Sequence, residues 1–383
     1  MKRTALAAAA AALALGAAPA AAEPVTIGMI TTLTGGGSHL GIDVRDGFRL
    51  ALDEAGDAAA DIELLVQDDA RKPDLAKQVA TEMVQRDGAD ILTGIIFSNL
   101  ALAVVPSAVR DGVFYLSPNA GPSQLAGKLC HENYFNVAWQ NNDLHAAMGG
   151  YMKDAGLAAP AILAPNYPAG TDALTGFKSL YGEDVAAEIY TKLGQTDYAA
   201  EIAQIRASGA DSVYFFLPGG MGIAFMKQYA ASDVGLPVYG PAFSFDEVIL
   251  GAVGDAALGV FNTSQWAHDL ENPANEAFVA AFREEYGRTP TLYASQGYDT
   301  ARLILSALAV AHPGEDPDAF RAALEAADFE STRGDFRFNT NHHPIQDIHV
   351  REVVMGEDGK PTNRLVGVAI EDREDAFVGQ CPM

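Results

Sequence analysis

The sequence predicts an α/β protein of two lobes, each a mostly parallel sheet flanked by helices. Two patterns carry that prediction. Short apolar β-type runs alternate with longer stretches of helical periodicity from Val25 onward. Strand–helix–strand repetition of this kind calls for parallel strands covered on both faces. The repetition continues for roughly eight units, more than one open sheet of usual width holds. Ordinary loops, not a low-complexity linker, join the halves.

Val25 to Ile30 is a buried-strand run, closed by the turn Thr34-Gly35-Gly36-Gly37-Ser38. Val44, Phe48, Leu52 and Ala55 then fall on one helical face. Ile62 to Val66 is a second strand ending in the polar Gln67-Asp68-Asp69. Pro73 opens a helix, its fixed φ suiting a first turn, and Leu75, Val79 and Met83 share a face of it. Ile91 to Phe97 gives a third strand and Val113 to Leu116 a fourth. Ala161 to Leu163, Val185 to Ile189, Val213 to Leu217 and Val238-Tyr239 resume the pattern. Helical segments such as 197–207 and 221–231 lie between them.

Ahead of the first strand, residues 1–22 carry Lys2 and Arg3, an Ala/Leu-rich apolar run and a small-residue end at Ala20-Ala21-Ala22. That order is a cleavable secretory signal, with Glu23 as the new N-terminus and the periplasm as the destination. No Cys follows the run to carry a lipid. Later segments fall short of the apolar length that a spanning helix needs. The formal charge of −25 repels phosphate backbones and anionic lipid, which argues against nucleic-acid and polybasic membrane functions. Cys130 and Cys381 are an even count for an oxidising compartment, and the expectation is a bridge rather than two separate buried thiols. On a chain-entropy model, closing so long a loop is worth up to about 5 kcal/mol.

Ligands of parallel α/β folds bind at loops beyond the carboxyl ends of the strands. Here those loops are polar and rich in Gly and Pro: 34–39, Ser98-Asn99, 117–122 and 165–170. Ser98-Asn99 precedes the helical run Leu100 to Val105. A hydroxyl and backbone N–H groups at a helix N-terminus suit a carboxylate, while simple N-capping is the competing account. The Asn119-Ala120-Gly121 loop after the next strand favours the functional one.

Together these residues resemble the periplasmic solute-binding proteins of the branched-chain amino-acid (Leu/Ile/Val-binding) type. The resemblance runs through Ile27-Gly28, Leu33-Thr34-Gly35, Gly47-Phe48, Asp68-Asp69, Ser98 and Ser117-Pro118-Asn119-Ala120. It continues through Tyr167-Pro168-Ala169-Gly170, Tyr190 to Gly194, Asp197-Tyr198 and Tyr293 to Tyr298. It implies a type I periplasmic binding fold crossed three times by the chain, with lobes at 24–138 plus 266–346 and 139–265 plus 347–383. It also implies a monomer without cofactors that closes on a small ligand and delivers it to the membrane permease subunits of an ABC transporter.

In amino-acid binders of this type the ligand carboxylate meets a Ser at the position of Ser98 and the loop at Asn119, Ala120 and Gly121. The ammonium meets an acid just after a Gly-Pro pair. Here Gly240-Pro241 is followed by Ala242-Phe243-Ser244-Phe245. A buried ammonium without a carboxylate partner is costly, so the expectation is an organic acid with a flat or greasy body. The motifs resemble the branch that takes benzoate- or coumarate-like aromatic acids, with branched-chain or other amino acids and amides as the alternative. Two points stay open: whether Asp246 or Glu247 reaches the cleft, and whether Phe243 or Phe245 is core. Phe243, Tyr167 and Tyr293 are expected to line the body of the site, Tyr293 by stacking on a ring. His39 is either a ligand contact or a helix-entry residue, and Trp139 with Gln140 either a hinge or a cleft wall.

Enzymatic chemistry is not expected: Ser, His and Asp occur without a Gly-x-Ser-x-Gly elbow. The Gly35-Gly36-Gly37 run lacks both the P-loop and the dinucleotide pattern, and reads as a flexible cleft loop. His342, His343 and His349 lack ligand spacing for a metal and are expected in a surface turn. A receptor serving a membrane sensor instead of an importer is a third class of function.

Overall fold

The computed structural model describes residues 24–383. The signal-peptide expectation for 1–22 lies outside the described residues. The first half alternates as β1 (Val25–Thr31), α1 (Ser38–Ala55), β2 (Ile62–Asp68), α2 (Pro73–Gln85), β3 (Ile91–Thr93), α3 (Ser98–Arg110), β4 (Phe114–Ser117), α4 (Ser123–Ala126) and β5 (Tyr134–Asn136). Its sheet is wholly parallel in the order β2-β1-β3-β4-β5. All seven residues of β1 are buried, as a strand covered on both faces requires.

The second half repeats the plan. It runs α5 (Asp143–Asp154), β6 (Pro160–Pro165), α6 (Pro168–Tyr181), β7 (Ala187–Thr191), α7 (Ala199–Ala207), β8 (Ser212–Phe215), α8 (Gly220–Ala230), β9 (Val238–Pro241), α9 (Glu247–Val253) and β10 (Phe261–Ser264). The parallel strands β7-β6-β8-β9-β10 reproduce the first sheet's order, outer strand first, and so the same reversal of connection. The edge strand β7 begins two residues later than the apolar run suggests, and within it only Ile189 and Thr191 are fully covered.

The chain then returns to the first lobe through α10 (Pro273–Tyr286), α11 (Leu292–Leu308) and α12 (Pro317–Ala326). Glycine brings α11 against α1: a Cβ on Gly47 would lie 1.9 Å from the Ala294 carbonyl oxygen, and one on Gly297 2.0 Å from that of Val44. After the short β11 (Arg337–Phe338), the strands β12 (Pro344–Met355) and β13 (Pro361–Arg373) add an antiparallel ribbon beside β10. The α/β alternation does not announce that ribbon.

Cys130 and Cys381 are bonded, with their Cα atoms 5.6 Å apart. The tail therefore returns to the first lobe, where Asp375 accepts from Asn341 Nδ2 at 2.9 Å and Gln380 packs beside Gly127. The surface turn expected at His342-His343 is instead interior. His342 stacks on Phe135 with ring centroids 4.0 Å apart, and His343 is fully buried beside Tyr134. The start of β12 threads between aromatic side chains there, and neighbouring rings exclude water. Among the described residues no helix is long and apolar enough to cross a membrane, and no cluster of His, Cys, Asp or Glu is suited to a metal.

Candidate functional site

Each parallel sheet reverses its connection between an inner pair of strands, β1/β3 in the first and β6/β8 in the second. Loops at such a reversal diverge and leave a crevice. The two crevices face each other and share one cavity, lined by residues following β3, β4, β6, β8 and β9. This slot holds about 370 Å³ of empty space, part of it open to solvent.

One end is polar. Ser98 opens α3 after the extended Phe97, and among the described residues no hydrogen bond engages the backbone N–H of Ser98, Asn99 or Asn119. The Ser98 hydroxyl accepts from Asn141 Nδ2 at 3.1 Å, which leaves its own proton free to donate. Asn141 also donates to Asp172 on α6, which in turn accepts from the Ser123 backbone N–H and hydroxyl. Burial pushes the Asp172 carboxyl up, against these hydrogen bonds. Asn119 Nδ2 donates to the Ile96 carbonyl at 2.7 Å, and its Oδ1 is buried without a partner.

The walls are aromatic. Phe97, Trp139, Tyr167, Phe216, Phe243 and Tyr293 line the slot, with Trp139 and Phe243 at 4.4 Å between centroids and Tyr167 and Phe216 stacked at 6.4 Å. Burial holds the Tyr167 and Tyr293 phenols far above their usual range. Tyr293 is set at the start of α11 by Thr291, whose hydroxyl donates to Asp43 while accepting from the Tyr293 N–H. Asp43 is pushed up to about 6 by burial, against the pull of Arg288 at 2.7 Å.

Of the residues singled out from sequence, Ser98, Asn119, Ala120, Tyr167, Phe243 and Tyr293 come together around the slot. Gly121 and His39 do not line it. Gly121 N–H donates to Asn141 Oδ1, and a Cβ there would strike the Trp139 carbonyl oxygen at 2.1 Å, so it acts as a tight packing point. His39 reaches across the cleft to Asp246, Nε2 to Oδ2 at 3.3 Å. Burial lowers its pKa, yet the Asp246 charge and hydrogen bond outweigh that and leave it raised. Beside this pair the Gly220 N–H donates to the Gly36 carbonyl, so the glycine run is a contact between the lobes and not a free loop.

The open questions after Gly240-Pro241 resolve by geometry. Ala242–Ser244 is a single 3-10 turn that aims Phe243 at the slot, while Phe245 packs against Phe215 in the core of the second lobe. Asp246 caps α9, its Oδ1 accepting from the Val248 and Ile249 N–H groups. Glu247 accepts from Asn363. Neither lines the slot, and among the described residues no Asp, Glu, Lys or Arg does. The sequence reading missed Asn141, His145 and Phe216. His145 offered no signal, standing outside any motif within the helical run Asp143–Asp154.

A model of the periplasmic binding protein family matches residues 24–360. The Leu/Ile/Val-binding protein homolog 6 of Brucella melitensis is 28% identical over 380 residues, covering 96% of each chain. A solute-binding protein of an ABC transporter from R. palustris, solved in complex with benzoate, is 29% identical with a TM-score of 0.88 and covers 94% of this chain and 100% of its own. One from Rhodopseudomonas palustris BisB5, solved with 3,4-dihydroxybenzoic acid, is 28% identical with a TM-score of 0.83, covering 92% of this chain and 99% of its own. These proteins are binders and not enzymes, with the type I fold of two lobes around a cleft. The chain thus belongs to the periplasmic binding protein family, as an extracytoplasmic solute-binding component of an ABC transporter.

Proposed function

We propose that this chain captures an aromatic carboxylate in its cleft and delivers it, as a monomer, to the permease subunits of its importer. The observation that carries this reading is the charge inventory of the slot. It is lined by aromatic rings, hydroxyls and amides, and among the described residues no carboxylate lines it to meet an ammonium. Asp246, the nearest acid in sequence to the expected position, is engaged by two backbone N–H groups and by His39. An amino-acid zwitterion buried here would leave its ammonium without a counter-charge, whereas a simple acid needs only donors.

The Ser98 hydroxyl and the N–H groups at the start of α3 supply those donors, with the Asn119-Ala120-Gly121 loop beside them. Phe243, Tyr167 and Tyr293 flank a flat body in the slot. The lobes are 24–138 plus 266–346 and 139–265 plus 347–383, the extreme tail being stapled back to the first. The benzoate and dihydroxybenzoate bound by the two structural relatives support this choice of ligand class.

Thermal-shift titration against benzoates, cinnamates, leucine and valine tests it, since a ligand at about a hundredfold its Kd stabilises by about 2.7 kcal/mol. A rise in Tm with aromatic acids and none with leucine or valine is expected. A shift with the amino acids alone would replace this reading with the branched-chain one and leave the fold standing.

A further inference from the structure

We infer that His145 sets the specificity of the cleft, hydrogen-bonding through Nε2 a hydroxyl group on the ring of an aromatic carboxylate. This rests on the aromatic-acid reading and narrows it to ring-hydroxylated acids. His145 lies on α5, is 1% exposed, and lines the slot. Its Nδ1 is hydrogen-bonded to the hydroxyl of Tyr214, a residue fully buried on β8. Its Nε2 makes no hydrogen bond among the described residues. The ring meets Phe216 edge-on at 4.9 Å and Phe243 at a tilt, 5.9 Å away. A ring nitrogen is thereby placed among the aromatic walls, alongside the phenol hydroxyls of Tyr167 and Tyr293.

The placement is informative because the carboxylate donors Ser98 and Asn119 and the imidazole of His145 come from different lobes. Ser98 and Asn119 follow strands of the first sheet, whereas α5 packs on β9 and β10 of the second. A ligand held by its carboxylate against the first lobe presents its ring to the second. Burial pushes the His145 pKa down to about 3, so the imidazole is neutral. A neutral imidazole offers one donor or one acceptor at Nε2, according to which way the Tyr214 hydroxyl points. A ring hydroxyl can answer either. An unsubstituted ring answers neither and leaves Nε2 unpaired behind the bound ligand, a penalty that separates the two ligands.

The test is calorimetric titration of the purified protein with benzoate and the three monohydroxybenzoates, repeated on His145→Phe, His145→Gln, Tyr214→Phe, Tyr167→Phe and Tyr293→Phe. The best hydroxybenzoate is expected to bind about ten- to a hundredfold tighter than benzoate. His145→Phe should bring that ratio to near unity while benzoate still binds, which also reports that the variant folds. His145→Gln should keep part of the ratio, and Tyr214→Phe should lower it by freeing the imidazole to turn. The inference is overturned by a ratio near unity in the unaltered protein, or by equal weakening of benzoate and hydroxybenzoate in both His145 variants. Loss of the ratio in Tyr167→Phe or Tyr293→Phe but not in His145→Phe overturns it as well. Failure of every benzoate here, together with every cinnamate in the thermal-shift titration, would instead overturn the aromatic-acid reading itself.

Discussion

Asp246 and His145 show how much a single residue's surroundings decide. Asp246 is an acid near the place where an amino-acid ligand would need one, yet its oxygens are occupied by a helix N-terminus and a histidine. His145 is a base that does not act as one, because burial denies it a proton. That denial makes stability depend on pH with a definite sign. Its folded pKa lies below the unfolded value of about 6.5, so the unfolded chain binds more protons between about pH 6.5 and 3. The stability associated with a neutral His145 is complete above pH 6.5 and is lost as pH falls through that window. Urea unfolding at stepped pH should therefore show a decline on acidification that is shallower in His145→Gln, by a few kcal/mol at pH 4. Equal slopes in the two proteins would mean that the ring takes up a proton in the fold.

Helices set the site's geometry by how closely they pack. Tyr293 reaches the slot because α11 lies against α1, and that approach needs Gly47 and Gly297 at the contact. A methyl at Gly297 would meet backbone, which cannot rotate away, so the helices must part. Gly297→Ala is expected to lower stability by at least about 1–3 kcal/mol, the usual scale for overpacking. It should also weaken ligand binding as Tyr293 shifts. Chemical denaturation and titration of the same variant check both, and unchanged values would show that α1 and α11 adjust without strain. The start of α3 works differently: its unbonded N–H groups follow from helix geometry alone, and so Ser98 could be recognised from sequence as a candidate anion site.

At the scale of the whole molecule, the lobes are held together across the cleft by a short set of polar contacts. They include His39 with Asp246, the Gly220 N–H with the Gly36 carbonyl, Asn141 with Ser98, and Asp172 with Ser123. His39 lies outside the slot, so its pairing bears on closure and not on ligand contact. His39→Ala should weaken binding of every ligand by a common factor of roughly three to ten, on the scale of one partly exposed ion pair or hydrogen bond. Discrimination among ligands should stay the same. Parallel titrations would reveal a selective loss if His39 instead touched the ligand.

The two-lobed α/β plan was legible from strand–helix alternation, because burial on both faces of a parallel strand leaves a continuous apolar run, as in β1. Ser98, Asn119, Tyr167 and Tyr293 were legible because they stand at helix starts or at loops beyond strand ends, where local rules and family resemblance apply. Phe243 against Phe245 was not legible, since two alternating aromatics read as a strand and only the 3-10 turn sends one to the slot and the other to the core. The antiparallel ribbon and the buried His342-His343 pair depended on distant partners, β10 and Phe135. Local periodicity determined the elements and their class. The contents of the cleft were decided by contacts between residues far apart in sequence: His145 with Tyr214, Asn141 with Ser98, and His39 with Asp246. Periodicity records which face of an element is buried, and it does not record what that face is buried against.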